Sequence, residues 1–574
     1  MDDLIQGTKQ AYSRRYFVKV AAAATGGALL AACGGTQGST QLTKAPTAAN
    51  TLPQAQITAT IQASVGKTYF PSGNPNVPDA FLAPLPPYQS VFNVPGRGGT
   101  VKVFTVGYHP PVPALSQNKY LQELNKRLNV NWQVTVAQDI DYAEKAGALL
   151  ASGDLPDLFV YLSTPVESQA LQQGAFTDLT SYLTGDSLKQ FPNLARFPAH
   201  SWKNVAIQGK IYGVPRVRPI IKTGMQVRYD WMQTLGMANP QNADDFYKLM
   251  VAISKNHPSK RNAETWGIGQ LYGPTAGLGN TGMAVSGVIG FILQMFRVPN
   301  MWRVESSGDV TAYIETPEYK DAIAYCNKLW NGGAVHPDGL SISTPQDKSN
   351  FLAGKTGSIF DDFGNSKVYR DKLKQVDSTA DVMIMIPFGN NGGDGIFWFD
   401  PGYNGSTTIP SSSGSDAERV KELLRCLDYL AAPAFSIENN FIAYGIDGWD
   451  NTVGKNNIRV QTPTGQKETG DLVAYVGNGP SMIFDNIDPP YGLKIQNWEK
   501  NAFKIGVDNP TYGLNVPTPT QITKSATLQQ IVDDRIIRII KGQDPVSAVD
   551  DMVKLWLQSG GAQTKKEVAG LLHK

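Results

Sequence analysis

A β-rich run from Val101 to Tyr108, a helix-spaced set at Tyr120, Leu121, Leu124 and Leu128, and a second β-rich run from Val130 to Val136 follow one another directly. Strand, helix and strand in that order make a β-α-β unit, in which the strands lie parallel and the helix crosses over one face. A second unit follows at once, with a helix through Ala143 to Ala151, the turn Ser152-Gly153-Asp154-Leu155-Pro156, and a strand at Leu158 to Leu162. Repetition of the unit predicts an α/β fold of mainly parallel sheets flanked by helices. Such sheets gather ligands at the carboxyl ends of their strands. The 574 residues leave room for two or more packed domains.

Further on, Gln208 to Pro215 reads as an exposed turn feeding a strand. Helices are expected at Asn242 to Asn256, at about Met283 to Arg297, and at Thr316 to Trp330, the last with Thr316 as N-cap and Pro317 at the first helical position. Ser415-Asp416-Ala417-Glu418 reads as a capping box that opens another. Met283 to Phe296 is nearly all apolar but too short for a bilayer, which makes it a buried helix.

Upstream of the first strand the pattern is lost. Residues 34 to about 97 are rich in Thr, Gln, Ala, Pro, Gly and Asn with no sustained period, so residues 33–97 are expected to form a flexible stalk. Prolines at 71, 75, 78, 84, 86 and 87 would keep its distal half extended. Before the stalk stand Ser13-Arg14-Arg15-Tyr16-Phe17-Val18-Lys19, a short apolar run, and Leu30-Ala31-Ala32-Cys33. The paired arginines resemble a twin-arginine export signal, although the general secretion route also accepts such a pair; Leu-Ala-Ala-Cys resembles a lipobox. Residues 1–32 are thus expected to be removed as a signal peptide. Cys33 would then carry lipid and tether a soluble chain to the outer face of a bacterial cytoplasmic membrane, by that anchor alone.

The precursor has 51 Lys+Arg and 49 Asp+Glu, and without residues 1–32 each count is 47. This balance argues against a nucleic-acid or anionic-membrane surface. Cys326 and Cys426 fall on amphipathic helices and read as buried thiols, and the five histidines show no zinc-ligand spacing. Gly354-Lys355-Thr356 fails as a phosphate loop because Ser349 stands where that motif needs glycine. There is no Gly-x-Ser-x-Gly elbow and no His-Glu-x-x-His. No cofactor, no metal and no catalytic residue is expected.

Seven landmarks in order resemble the extracellular solute-binding proteins, family 1, of carbohydrate ABC importers. They are Ala151-Ser-Gly-Asp-Leu-Pro-Asp157, Gln173-Gly174-Ala175, Gly209-Lys-Ile-Tyr-Gly-Val-Pro215, Val227-Arg-Tyr-Asp-Trp-Met-Gln-Thr-Leu-Gly236, Phe351-Leu-Ala-Gly-Lys-Thr-Gly357, Tyr444-Gly-Ile-Asp-Gly448, and Gly542-Gln-Asp-Pro-Val546 leading to Trp556. The resemblance implies two α/β lobes joined by a hinge and closing on a ligand. It implies a first lobe of residues 98–218 and 395–435 and a second of 219–394 and 436–574. The crossings fall near Arg216 to Ile221, near Gly395 to Phe399 and soon after Pro433. The Cys426 helix then belongs to the first lobe and the Cys326 helix to the second. Large relatives often carry a calcium-type loop where this chain has Asn256 to Gly267; Lys260 and Arg261 replace the carboxylates there, which argues against a cation. Asp447, Asp450 and Asn451 match no EF-hand spacing and read as a solvated turn. The implied partners are an oligosaccharide and the permease subunits of the importer, with the chain itself a monomer.

Sugar pockets need aromatic platforms with convergent polar groups. Residues expected at lobe edges are Tyr108, His109, Tyr161, Ser163, Arg216, Tyr272, Asp361, Asp362, Phe363, Trp398, Tyr403 and Trp449. The supply of aromatic rings favours an oligosaccharide over a monosaccharide, and Arg216 would favour an acidic one. Trp231, Trp330 and Trp556 fall on helical apolar stripes and are assigned to the core. An oligopeptide-binding protein, a glycan-adhesion protein and a glycan-degrading enzyme are the alternatives.

Overall fold

The computed structural model describes residues 64–273, 286–473, 475–485, 488–514 and 518–573. The signal peptide, Cys33 and the proximal part of the expected stalk lie outside the described residues.

The first sheet is built on strand Thr100–Gly107, which pairs in parallel with Asn131–Gln138 on one side and Leu158–Tyr161 on the other. Its period of two sends Val101 and Val103 into one core and Phe104 and Val106 into a second on the opposite face. That double burial explains why Val103, Phe104 and Val106 are apolar although they point to opposite faces. Helix Lys119–Leu128 starts at Asn118, whose side chain accepts a hydrogen bond from the Leu121 N–H, and ends at Asn129 in the left-handed conformation. It buries Tyr120, Leu121, Leu124 and Leu128, the stripe its spacing predicts. Beyond Leu158–Tyr161 the sheet turns mixed: Tyr403–Thr408 and then Gly213–Val217 are added antiparallel.

The second sheet departs from the parallel expectation. Strands Ser358–Asp362 and Val382–Met385 are joined through helix Asn365–Val376, but they stand one strand apart. Thr223–Arg228 fills the gap and runs antiparallel to both. Met225 and Val227 face the largest core, where helices Ala243–Asn256, Ile289–Met295, Pro317–Asn331 and Pro519–Ile540 pack. Trp231 and Trp556 are buried in this core, and Trp330 packs against it.

Thr316 caps its helix and Pro317 opens it, as the letters indicate. In the helix expected to start with a Ser415 capping box, Asp416 is instead the N-cap, accepting from the Glu418 and Arg419 N–H groups. The apolar helix is shorter than expected, Ile289–Met295, and Met283 lies outside the described residues.

Three segments lie side by side between the sheets. The Arg218 N–H donates to the Gly402 carbonyl (3.0 Å) and the Asp400 N–H to the Ile220 carbonyl (2.8 Å). The Phe397 and Phe399 N–H groups donate to the Ile505 and Val507 carbonyls at 2.9 and 3.0 Å. Beyond Pro433, Phe441, Leu472, Val473 and Val476 all pack into the first core. Phe441 stacks on Tyr120 at 4.9 Å, and the Tyr120 N–H donates to Glu468 (3.0 Å).

Residues 64–97 are packed, which corrects the stalk expectation for that stretch. Tyr69–Phe70 pairs with Ala80–Phe81, and Ile483–Phe484 extends this small sheet in parallel. Val77 is fully buried among Ile220, Ile221, Phe363, Ile384 and Phe397, beside the three crossing segments. Ser90 donates through both its N–H and its hydroxyl to Glu438. Apolar residues scattered among prolines show no period, so this packing has no local signal in the letters.

Asp428, 5% exposed, accepts the Asn193 and Leu194 N–H groups (2.8 and 3.0 Å) through one oxygen. Burial outweighs these bonds and pushes its carboxyl up to about 7, from about 3.9 in an unfolded chain. The folded state therefore holds this proton more tightly, so the group's stabilising contribution is complete below about pH 4 and is lost as pH rises through about 7. Asp428→Asn, which mimics the protonated acid, is expected to flatten the fall in melting temperature between about pH 5 and 8. An unchanged slope would assign the pH dependence to other groups.

Candidate functional site

Strand Thr100–Gly107 ends in Tyr108 and His109, and buried Asp471 pins that end. Its carboxylate accepts the Tyr108 and His109 N–H groups at 2.8 and 2.7 Å and lies 2.7 Å from His109 Nδ1. The half-exposed Tyr108 ring stands 4.9 Å from the ring of Tyr475. The guanidinium of Arg216 lies 4.8 Å from the centroid of the Tyr475 ring.

Arg216 is 1% exposed, and Nε, Nη1 and Nη2 are all buried with no hydrogen-bond partner. Burial, reinforced by the neighbouring Arg218, pushes it down to about 10, against the pull of Tyr108, Tyr475 and Tyr142. Arg218 is half-buried, donates to the Val217 carbonyl (3.1 Å), and is lowered by burial. Charge attraction links it to Asp362 at the end of a second-sheet strand. Asp362 accepts the Gly364 N–H at 2.8 Å; burial raises its carboxyl, with Lys222 and Arg218 opposing the shift. Behind it, burial pushes Asp400 up to about 6 and raises Glu499 well above its usual range, and Asp362 adds to both shifts. Arg216 and Arg218 thus stand near two tyrosines, and Asp362, Asp400 and Glu499 form a group of buried or part-buried acids whose carboxyls are all raised.

Of the residues expected at the site, Tyr108, His109, Arg216 and Asp362 meet here. Asp361 is engaged elsewhere: it accepts from Asn365 (2.9 Å) and Tyr369 and pairs with Lys348 at 3.1 Å. Tyr161, Phe363 and Tyr403 are buried in cores, and Tyr272 is buried with its hydroxyl on Asp533. Trp398 packs against the second core and donates its indole N–H to the Val298 carbonyl at 2.8 Å. Trp449 is exposed but held by Lys119, 3.4 Å from the ring centroid, and by Glu468. Ser163 is half-buried in a left-handed turn (φ 61°) after strand Leu158–Tyr161. Asp447 forms a two-pronged pair with Arg459 at 2.9 and 2.8 Å.

Tyr475, Asp471 and Arg218 were missed. Arg218 had a signal, since Pro215-Arg-Val-Arg-Pro219 places two arginines on one side of a strand. Tyr475 and Asp471 had none, because contacts with Tyr108 and His109 across more than 360 residues of chain bring them to this edge. Chemically the arrangement offers cationic donors, aromatic faces and buried carboxyls, which is equipment for holding a polar ligand. Among the described residues no three His, Cys, Asp or Glu side chains stand close enough to hold a metal ion.

A profile of the family described as bacterial extracellular solute-binding protein matches residues 104–433. The chain is 26% identical over 467 residues to the polygalacturonan/rhamnogalacturonan-binding protein YtcQ of Bacillus subtilis, covering 80% of this chain and 88% of that one. It is 27% identical over 488 residues to lipoprotein LipO of the same organism, covering 82% and 92%. Among solved structures, an HMO-binding, ABC-transporter-associated solute-binding protein from Bifidobacterium longum infantis superposes with a TM-score of 0.62 at 15% identity, over 83% of this chain and 99% of that one. At that identity the likeness is one of fold, and the fold is two-lobed.

Proposed function

The chain belongs to the bacterial extracellular solute-binding protein family, and on that footing we propose that it captures an acidic oligosaccharide between two lobes and passes it to the permease of an ABC importer. The observation that carries the acidic part is Arg216, a guanidinium buried with all three nitrogens unpartnered. A lone buried cation is costly, and a planar donor fork is the natural complement of a carboxylate. A ligand that brings a uronate supplies the missing charge and the missing acceptors together. Similarity to a protein named for polygalacturonan binding supports the same reading. The relatives' sugar ligands favour a glycan over a peptide.

In this reading the first lobe takes residues 98–217 and 403–476, the second takes 223–385 and 518–573, and the three segments between them are the hinge. Family and fold neighbours are binding proteins, and in the same reading the ligand leaves chemically unchanged. The monomer sits outside the cytoplasmic membrane on a lipid at Cys33, so Cys33→Ala is expected to move it from the membrane fraction to the medium or periplasm. Retention of that variant on membranes would refute the anchor.

The test of ligand class is calorimetric. A galacturonate tetramer should bind more tightly than a neutral tetrasaccharide, with an affinity that falls as salt rises, and should be recovered intact by chromatography. Equal affinity for the two would overturn the acidic assignment, and shortened products would overturn the non-enzymatic one.

A further inference from the structure

A separate recess of about 590 Å³ lies between helix Ile437–Tyr444, helix Pro463–Thr469 and residues 477–482. Its volume is that of a small-molecule site, which runs roughly from 300 to 1,000 Å³. No residue of 222–395 or 518–573 lines it, so it does not depend on how the lobes are closed. Its lining contains no Asp, Glu, Lys or Arg. Instead it presents the carboxamides of Asn439, Gln461, Gln466 and Asn478 beside the apolar Ile442 and Met482.

The amide nitrogens are largely taken up by the protein. Asn439 donates to the Ala432 carbonyl (3.2 Å), Gln461 to the Ala443 carbonyl (3.1 Å) and to Thr469, and Asn478 to the Val217 carbonyl (2.9 Å). What remains for a ligand is mainly amide oxygen, together with the whole carboxamide of the exposed Gln466. Acceptor oxygens over an apolar floor suit the hydroxyl rim and C–H face of an uncharged sugar ring. They offer nothing to pair with a carboxylate.

The recess also adjoins the arginine site at two points. His109, which lines it, follows Tyr108 in the chain, and Asn478 is bonded to the carbonyl of Val217, the residue between Arg216 and Arg218. We infer that the recess binds the neutral continuation of an oligosaccharide whose acidic sugar is held at Arg216. This rests on the acidic-oligosaccharide reading and adds a length and composition preference to it.

The experiment compares wild type, Ala443→Trp and Gln466→Ala by calorimetry with oligosaccharides of two, four and eight sugars that carry one terminal galacturonate and are otherwise neutral. Ala443 and Gln466 are exposed helix positions on the recess, so the first variant obstructs it and the second removes a polar contact without touching a core. Wild type should gain at least about tenfold in affinity with length. Ala443→Trp should lose that gain while its disaccharide affinity stays unchanged, and Gln466→Ala should lose part of it. If Ala443→Trp does not fold, Gln466→Ala alone carries the comparison. A wild type with no gain, or a gain that survives in the folded variants, overturns the inference. If none of these ligands binds wild type, the acidic reading fails, and a neutral galactan tetrasaccharide decides the recess: binding lost in the folded variants upholds it, and no binding overturns it.

Discussion

Replacing Arg216 with methionine is expected to raise the melting temperature of the ligand-free protein and to abolish its response to uronate-containing oligosaccharides. The two effects share one cause. The guanidinium is 1% exposed, none of its nitrogens has a partner, and Arg218 stands beside it as a like charge. Exchanging a buried charge for an apolar side chain of similar volume stabilises a fold by about 1 to 4 kcal/mol when the charge is poorly compensated. The same exchange removes the charge-assisted fork a carboxylate would meet, worth about 2 to 4 kcal/mol, or roughly 30- to 700-fold in affinity. Arg216→Lys should fall between, keeping the charge but not the planar pair of donors. Thermal denaturation without ligand and calorimetry with it read the two halves separately. A methionine variant that melts lower would mean that Arg216 earns its place by packing, and the functional reading of its burial would fall.

Val77→Asp should be among the most damaging single changes in the chain, although its neighbourhood reads as a proline-rich stalk. Val77 has no exposed surface and is enclosed by Ile220, Ile221, Phe363, Ile384 and Phe397, which come from the crossing strands and the second sheet. Burying a carboxylate there without a partner is expected to cost about 4 kcal/mol, while Val77→Ala, which removes only methyl groups, should cost about 2. Urea midpoints at constant slope measure both. An aspartate variant with an unchanged midpoint would show that residues 64–97 contribute nothing to the folded state.

The elements legible in the sequence are those whose signal is local. Thr316 and Pro317 mark a helix start because capping involves only the next turn of chain, and Tyr120, Leu121, Leu124 and Leu128 mark a face because their spacing is the helical one. The direction of the second sheet was not legible, since a strand inserted between two others obeys partners far away in sequence. Val77 was missed for a related reason: a lone apolar residue filling a gap has no period. At the site, Arg216 and Tyr108 were recognisable as charged and aromatic residues at strand ends. Tyr161, Phe363 and Tyr403 carried the same signal and are core, because a ring that stacks on sugar and a ring that packs on leucine look alike in one dimension. The rings available to a ligand are accordingly fewer than the letters suggest, and in the proposed reading a preference for length comes from the amide-lined recess.

Each of the two large cores encloses a single thiol, Cys426 in the first and Cys326 in the second, both fully buried and unbonded. Burial pushes Cys426 up to about 12 and Cys326 higher still, so neither reacts while its surroundings are intact. An alkylating reagent added in rising urea therefore acts as a pair of stopwatches already built into the molecule, one per core. If both sulfurs are modified at the same rate, the lobes come apart as one cooperative body; if they diverge, the slower names the half that holds out, and ligand should slow both clocks together only if it bridges them.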